Sequence, residues 1–234
     1  MAVQLQREIE KLKGRILTLS ALVEERVRLA VKAIIQQDEA LARQVIDGDA
    51  EIDQMEVDLE EECLKVLALH QPVAIDLRYI IAVLKINSDL ERIGDLAINI
   101  AERVPFLHDL DFIPFPLHLD AMAENAQAML HSSLDALVGM DKDLAYRVMA
   151  ADDAVDTQHS EMYAKVEAAI RRDVRNISSL MPLLGISRNL ERIADHATNI
   201  AEDVIYMISG EIVRHKAESM GGAGMETIKG KREM

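Results

Sequence analysis

The sequence predicts an all-α protein, two tandem three-helix bundles related by internal duplication. Three observations carry this: apolar residues recur at helical spacing, the core palette is aliphatic, and one helix-sized motif returns in the second half. Of 234 residues 50% are apolar, yet there are three Phe, four Tyr and no Trp. Leu, Ile, Val, Ala and Met must therefore fill the interior, as in helix-on-helix packing. The length suffices for two units of about 100 residues, each able to bury a core.

From Leu5 to about Gln37 the apolar residues Ile9, Leu12, Ile16, Leu19, Val23, Val27, Ala30 and Ile34 recur three and four apart, the period of one helix face. A short helix is expected from Asp38 to Ile46, followed by a turn and cap at Asp47-Gly48-Asp49 and a helix from Asp49 to about Leu69. Pro72 marks the next start, and a helix runs from about Val73 to Arg103, where Pro105 stops it. Asp109 to Pro116 reads as a connector between a first repeat, 1–108, and a second, 117–213. There the order recurs: a helix from Leu117 to Val138, a short one after Asp141, one from Asp153 to Arg172, and a last one reaching Ser209. Capping by Ser178 or Ser179 would put Pro182 in the first turn of that helix, where its missing N–H does no harm. Residues 214–234 lose periodicity and read as a flexible tail.

The duplication is explicit. Glu91, Asp95, Asn99 and Glu102 fall on Glu191, Asp195, Asn199 and Glu202 at a shift of 100 residues. Upstream, Asp38, Asp49 and Asp53 fall on Asp141, Asp152 and Asp156 at a shift of 103. Two segments aligning in the same order make a tandem duplication the economical reading.

Composition excludes several function classes. With 41 acidic and 26 basic residues the formal charge is −15, which repels nucleic acid and anionic membranes. Cys63 is the lone cysteine, so neither an internal disulfide nor a Cys-based zinc site can form, and a reducing compartment fits. The charged N-terminus lacks a signal peptide's apolar region, and no apolar run is long enough to span a bilayer. A cytoplasmic protein is expected, reaching a membrane only through partners. There is no Gly-rich phosphate loop, nucleophile elbow or His-Glu-x-x-His, and no paired Glu-x-x-His of a di-iron oxidase. These absences predict a protein that is not an enzyme.

On a helical wheel Glu91, Asp95, Asn99 and Glu102 lie at roughly 0°, 40°, 80° and 20°, one stripe. Leu90, Ile93, Ala97, Ile100 and Val104 lie nearly opposite, so the acids are not needed for packing. Asp49, Asp53, Glu56 and Glu60 share a second acidic face. Like charges four apart repel, and a repeated arrangement that tolerates this suits a cation. Clustered carboxylates take Mg, Mn, Fe or Zn, with an imidazole favouring the later metals. In the second half Glu56 and Glu60 become His159 and Tyr163, making His159 a candidate ligand beside Asp156. The competing reading is a metal-independent helical scaffold whose acidic faces bind partners.

The phrases Asp89-Leu90-Glu91-Arg92-Ile93-Gly94-Asp95 and Asn189-Leu190-Glu191-Arg192-Ile193-Ala194-Asp195 resemble the PhoU family. So do Gln71-Pro72-Val73-Ala74-Ile75-Asp76-Leu77-Arg78 and Val45-Ile46-Asp47-Gly48-Asp49. The resemblance implies two three-helix bundles, a homodimer, and restraint of the high-affinity phosphate ABC transporter through its ATPase subunit. It also implies that a phosphate-sensing histidine kinase is kept inactive when phosphate is plentiful. Metal binding by such proteins maps onto Asp49, Asp53, Glu91 and Asp95, and onto Asp152, Asp156, Glu191 and Asp195, with Asn99, Glu102, Asn199 and Glu202 matching the extended motif.

Overall fold

The computed structural model describes residues 2–110 and 119–213. The expected tail, and all of the connector beyond Leu110, lie outside the described residues. Helices α1 (Ala2–Gln36), α2 (Glu39–Asp47), α3 (Asp49–His70) and α4 (Ala74–Ala101) form the first half. A 3-10 turn, Val104–Leu110, follows, and α5 (Leu119–Gly139), α6 (Lys142–Arg172) and α7 (Ile177–Ser209) form the second.

The 103-residue repeat is visible in the chemistry of the helix ends. Gln37 and Met140 end α1 and α5 at φ 50° and 49°, letting Asp38 N and Asp141 N reach back to the carbonyls of Ala33 (2.9 Å) and Ala136 (3.0 Å). Each Asp then caps the next helix, Asp38 accepting from Ala40 N and Leu41 N, and Asp141 from Leu144 N. The buried stripe of α1, including Ile16, Leu19, Val23, Val27 and Ile34, recurs in α5 as Leu119, Met122, Ala126, Leu130 and Leu137.

One expectation is corrected. The short helix expected after Asp141 does not end before Asp153 but continues unbroken through α6. In the first half Gly48 interrupts the chain, and the buried Arg26 donates to the carbonyls of Gln44 (3.0 Å), Val45 (3.3 Å) and Gly48 (3.2 Å). A side chain at Gly48 would collide with that guanidinium. In the second half Asp47-Gly48 becomes Ala150-Ala151 and Arg26 becomes the buried Met129, so there is neither a breaker nor a cation to satisfy broken carbonyls. The start of α7 also differs. The helix begins at Ile177, which makes Pro182 its sixth residue, and the carbonyl of the exposed Ser178 loses its helical donor there.

Helices α4 and α7 lie at the centre and pack antiparallel. Lys85 Nζ meets Asp203 Oδ1 at 3.0 Å, Asp89 Oδ1 meets His196 Nδ1 at 2.8 Å, and Arg103 lies over Gly185. Under the 100-residue repeat Lys85–Asp203 exchanges with Gly185–Arg103, which sets a local two-fold axis at the level of Gly94 and Ala194. Because α4 packs α1 and α3 on one side and α7 on the other, the apolar residues of both halves join in one core. The face of α4 left outside carries Glu91, Asp95, Asn99 and Glu102, the stripe read from the sequence.

The halves conserve volume rather than identity at the α3–α4 contact. A Cβ on Gly94 would come 3.3 Å from Ile52 Cδ1, tighter than ordinary contact. The equivalent positions are Ala194 and Val155, where one methyl has moved across the interface. Ile52→Val alone should destabilise by about 1 kcal/mol. Adding Gly94→Ala should recover it, with a favourable coupling of about 1 kcal/mol in a double-mutant cycle from urea unfolding. Additive effects would contradict the packing argument.

Candidate functional site

Each half sets one acid-bearing pair of helices side by side, α3 with α4 and α6 with α7. In the first half Asp49 opens α3, where the turn held by Arg26 places it, and Asp53 and Glu56 follow along the same face. Asn87 of α4, almost fully buried, donates to the Glu56 carbonyl (2.9 Å) and carboxylate (3.3 Å), fixing the register of the two helices. In the second half that pair becomes His159 and Ser187, with Nδ1 and Oγ 2.8 Å apart. Ser187 Oγ also lies 3.3 Å from Met122 Sδ.

The carboxylates of each half form one electrostatic group. Burial pushes the Asp49, Glu91 and Asp95 carboxyls above the usual carboxylate range, and repulsion from Asp53 reinforces it in all three. Glu56 is raised by burial and by Glu60 and Asp53. In the second half burial and then repulsion from Asp156, Asp195, Asp153 and Glu191 lift Asp152 to about 6. Its Oδ1 is buried with no hydrogen-bond partner. Glu191 and Asp195 are raised by burial too; His159 and Arg188 partly offset the effect at Glu191, and His196 and Arg192 at Asp195. These are oxygen-rich, half-buried anionic clusters, to which a hard cation would bring charge neutralisation. As the side chains stand, no group of three or more His, Cys, Asp or Glu among the described residues is arranged to hold a metal ion. Chelation at either cluster therefore requires rotation of exposed acids such as Asp53 and Asp95, or Asp156 and Asp195.

The outer residues of the motif go elsewhere. Glu102 is the exposed C-cap residue of α4, eleven positions or roughly 16 Å of helix beyond Glu91. Asn99 is exposed, whereas Asn199 donates to Asp89 Oδ1 across the central seam (3.3 Å). Glu202 lines a small pocket with Lys85 and Tyr206 at the same seam. Sequence reasoning found no partner for His196, which the structure buries against Asp89. That pair spans 107 residues, so no local spacing reveals it. Arg26 was missed for the same reason, since its acceptors are carbonyls on another helix.

The PhoU domain family matches residues 16–104 and again 119–204. The chain belongs to the PhoU family. A relative from Serratia marcescens, the phosphate-specific transport system accessory protein PhoU, is 35% identical over 225 residues, 96% of this chain and 91% of that one. A PhoU homolog from Pseudomonas aeruginosa is 39% identical over 213 residues, 91% of this chain and 88% of its own length. Among solved structures, PhoU from Pseudomonas aeruginosa aligns with a TM-score of 0.85 at 39% identity, covering 88% of this chain and 99% of that one. The phosphate transport system regulatory protein PhoU from Streptococcus pneumoniae gives 0.82 at 30% identity, with 89% and 99% covered. Among the described residues no helix is long and apolar enough to cross a membrane.

The raised carboxyls set a pH dependence. A carboxyl whose folded pKa lies above its unfolded value binds protons more tightly in the folded state, and its stabilisation is lost as pH rises through the folded value. The metal-free protein should thus gain stability as pH falls from 7 through about 6, the Asp152 value. Asp152→Asn should raise metal-free stability at pH 7 by on the order of 1–2 kcal/mol, after solvent screening. It should also flatten the pH slope of thermal unfolding between pH 7 and 5. A wild-type slope unchanged by the substitution would contradict this electrostatic account.

Proposed function

We propose that this chain is a cytoplasmic, homodimeric regulator of phosphate homeostasis. In this reading it restrains the phosphate ABC transporter through its ATPase subunit and keeps a phosphate-sensing histidine kinase quiet when phosphate is plentiful. Its relatives' designation as phosphate-specific transport accessory proteins supports the transporter half of the role. The two repeats, 1–108 and 117–213, are the functional units, each carrying one cation-binding face.

The observation that carries the metal reading is the duplicated set of carboxylates raised by burial and then by mutual repulsion, with an orphaned oxygen on Asp152. Asp49, Asp53, Glu91 and Asp95 would hold one site, and Asp152, Asp156, Glu191 and Asp195 the other, with His159 beside it. All-oxygen donors suit Mg, Mn or Fe, while an imidazole adds affinity for Fe or Zn. A bound cation would lock the two helices of each pair together and turn an acidic surface into a neutral or positive one. The metal-independent scaffold is the second reading, favoured by the absence of a preformed chelate among the described residues.

Two measurements test these readings. Deleting the gene should derepress a phosphate-starvation reporter in phosphate-rich medium, and unchanged expression would refute the regulatory role. Elemental analysis of protein purified without chelator should find metal in the wild type and little in the variant Glu91→Gln, Asp95→Asn, Glu191→Gln, Asp195→Asn. Equal metal content in both would favour the scaffold.

A further inference from the structure

The local two-fold of α4 and α7 generates two related recesses that differ in size and in charge among the described residues. At the first, Lys85 pairs with the buried Asp203, and with Tyr206 and the Ile212–Val213 segment it leaves a pocket of about 140 Å³. At the second, Lys85 is replaced by Gly185, Asp203 by Arg103 and Tyr206 by Phe106. Among the described residues nothing takes the place of the Lys85 side chain, and the pocket measures about 590 Å³, bounded by the 3-10 turn, α6 and α7.

The exchange also reverses the sign of the surroundings. Asp203 becomes Arg103, Glu56 becomes His159, Glu60 becomes Tyr163 and Ser88 becomes Arg188; four of the five polar exchanges remove an acid or add a cation, and the loss of Lys85 is the exception. Arg103 packs its guanidinium over Gly185, whose Cβ would lie 3.3 Å from Cζ, and Arg188 stands one turn further along α7. Neither guanidinium makes a hydrogen bond or ion pair among the described residues, although Arg188 lowers the nearby Glu191 carboxyl at longer range. Two guanidiniums lining one recess, unpaired among the described residues, are unusual in a protein with a formal charge of −15. Phe106 and Tyr163, 61% and 59% exposed, lie at the same pocket and present rings to solvent.

We propose that this pocket binds the phosphate group of a small anion, held by Arg103 and Arg188. Guanidinium forks match phosphate oxygens in geometry and charge. The volume is that of a small-molecule site, and the exposed rings offer a stacking surface for a base, as in a nucleotide. The site goes beyond the regulatory role proposed above, and its test is independent of any reporter.

The experiment is calorimetric titration of the full chain in chelator, which silences both acidic clusters, with inorganic phosphate, adenosine monophosphate and adenosine as probes. A phosphate-bearing probe should bind saturably and adenosine should not. Arg103→Gln and Arg188→Gln should each weaken binding about tenfold or more. The paired variant Gly185→Lys with Arg103→Asp, which rebuilds the ion pair of the other recess, should abolish binding while keeping the unfolding temperature. If that variant fails to fold, the exposed Arg188→Gln alone still decides. Tighter binding of the nucleotide than of phosphate identifies a nucleotide ligand, and equal binding identifies free phosphate; either supports the site. No saturable binding of either phosphate-bearing probe, binding of adenosine as tight as that of the nucleotide, or binding that survives the arginine substitutions would overturn it.

Discussion

Everything else in the molecule depends on the antiparallel contact between α4 and α7. Each helix must bury side chains against its own bundle and against the other, which leaves a narrow strip free on each. That strip is where Glu91 and Asp95, and Glu191 and Asp195, are displayed beside the acids of α3 and α6. The seam is held by polar pairs as well as aliphatic packing: Asp89 with His196, both largely buried, and the part-exposed Lys85 with the buried Asp203. Removing Lys85 would take a cation from the buried Asp203 carboxylate, so such contacts fix the register of the helices more than they add net stability.

Around this frame the two halves have diverged by compensation. Gly94 with Ile52 and Ala194 with Val155 fill one space in two ways. Asn87 with Glu56 and Ser187 with His159 tie the same two helices by different hydrogen bonds. Arg26 supports a break in the first half that Ala150 and Ala151 make unnecessary in the second. Some exchanges conserve packing and others alter charge: the second cluster borders the His159 imidazole and Arg188, whereas in the first Arg26 lies near Asp49 and Arg92 near Glu91, with Glu56 in place of the imidazole. The repeat supplies two sites of one origin and different chemistry.

Much of this was legible in the sequence because it is written at helical spacing. The stripes of α1 and α4, the breaks near Asp38 and Asp141 and the offset acids all follow from period and residue type. Features that depend on contacts between distant segments were not legible. The continuity of α6 turns on Met129 in place of Arg26, a residue on another helix. His196 has no ligand-spaced neighbour and finds Asp89 107 residues away. The wheel aligned Glu102 and Glu202 with the acidic stripe because angle carries no information about rise; on the structure they lie turns away from the clusters.

The acidic faces oppose stability in the metal-free state, and burial rather than mere proximity is the larger cause of their raised carboxyls. A fold selected for stability alone would place Asn or Lys at Asp152, so the cost is understandable if a cation answers it. The most direct measurement is anomalous diffraction from crystals soaked in manganese and recorded near its absorption edge. The account predicts peaks at both clusters, bounded by Asp49, Asp53, Glu91 and Asp95 and by Asp152, Asp156, Glu191 and Asp195. A map without a peak at either cluster, from crystals soaked at saturating metal, would contradict it.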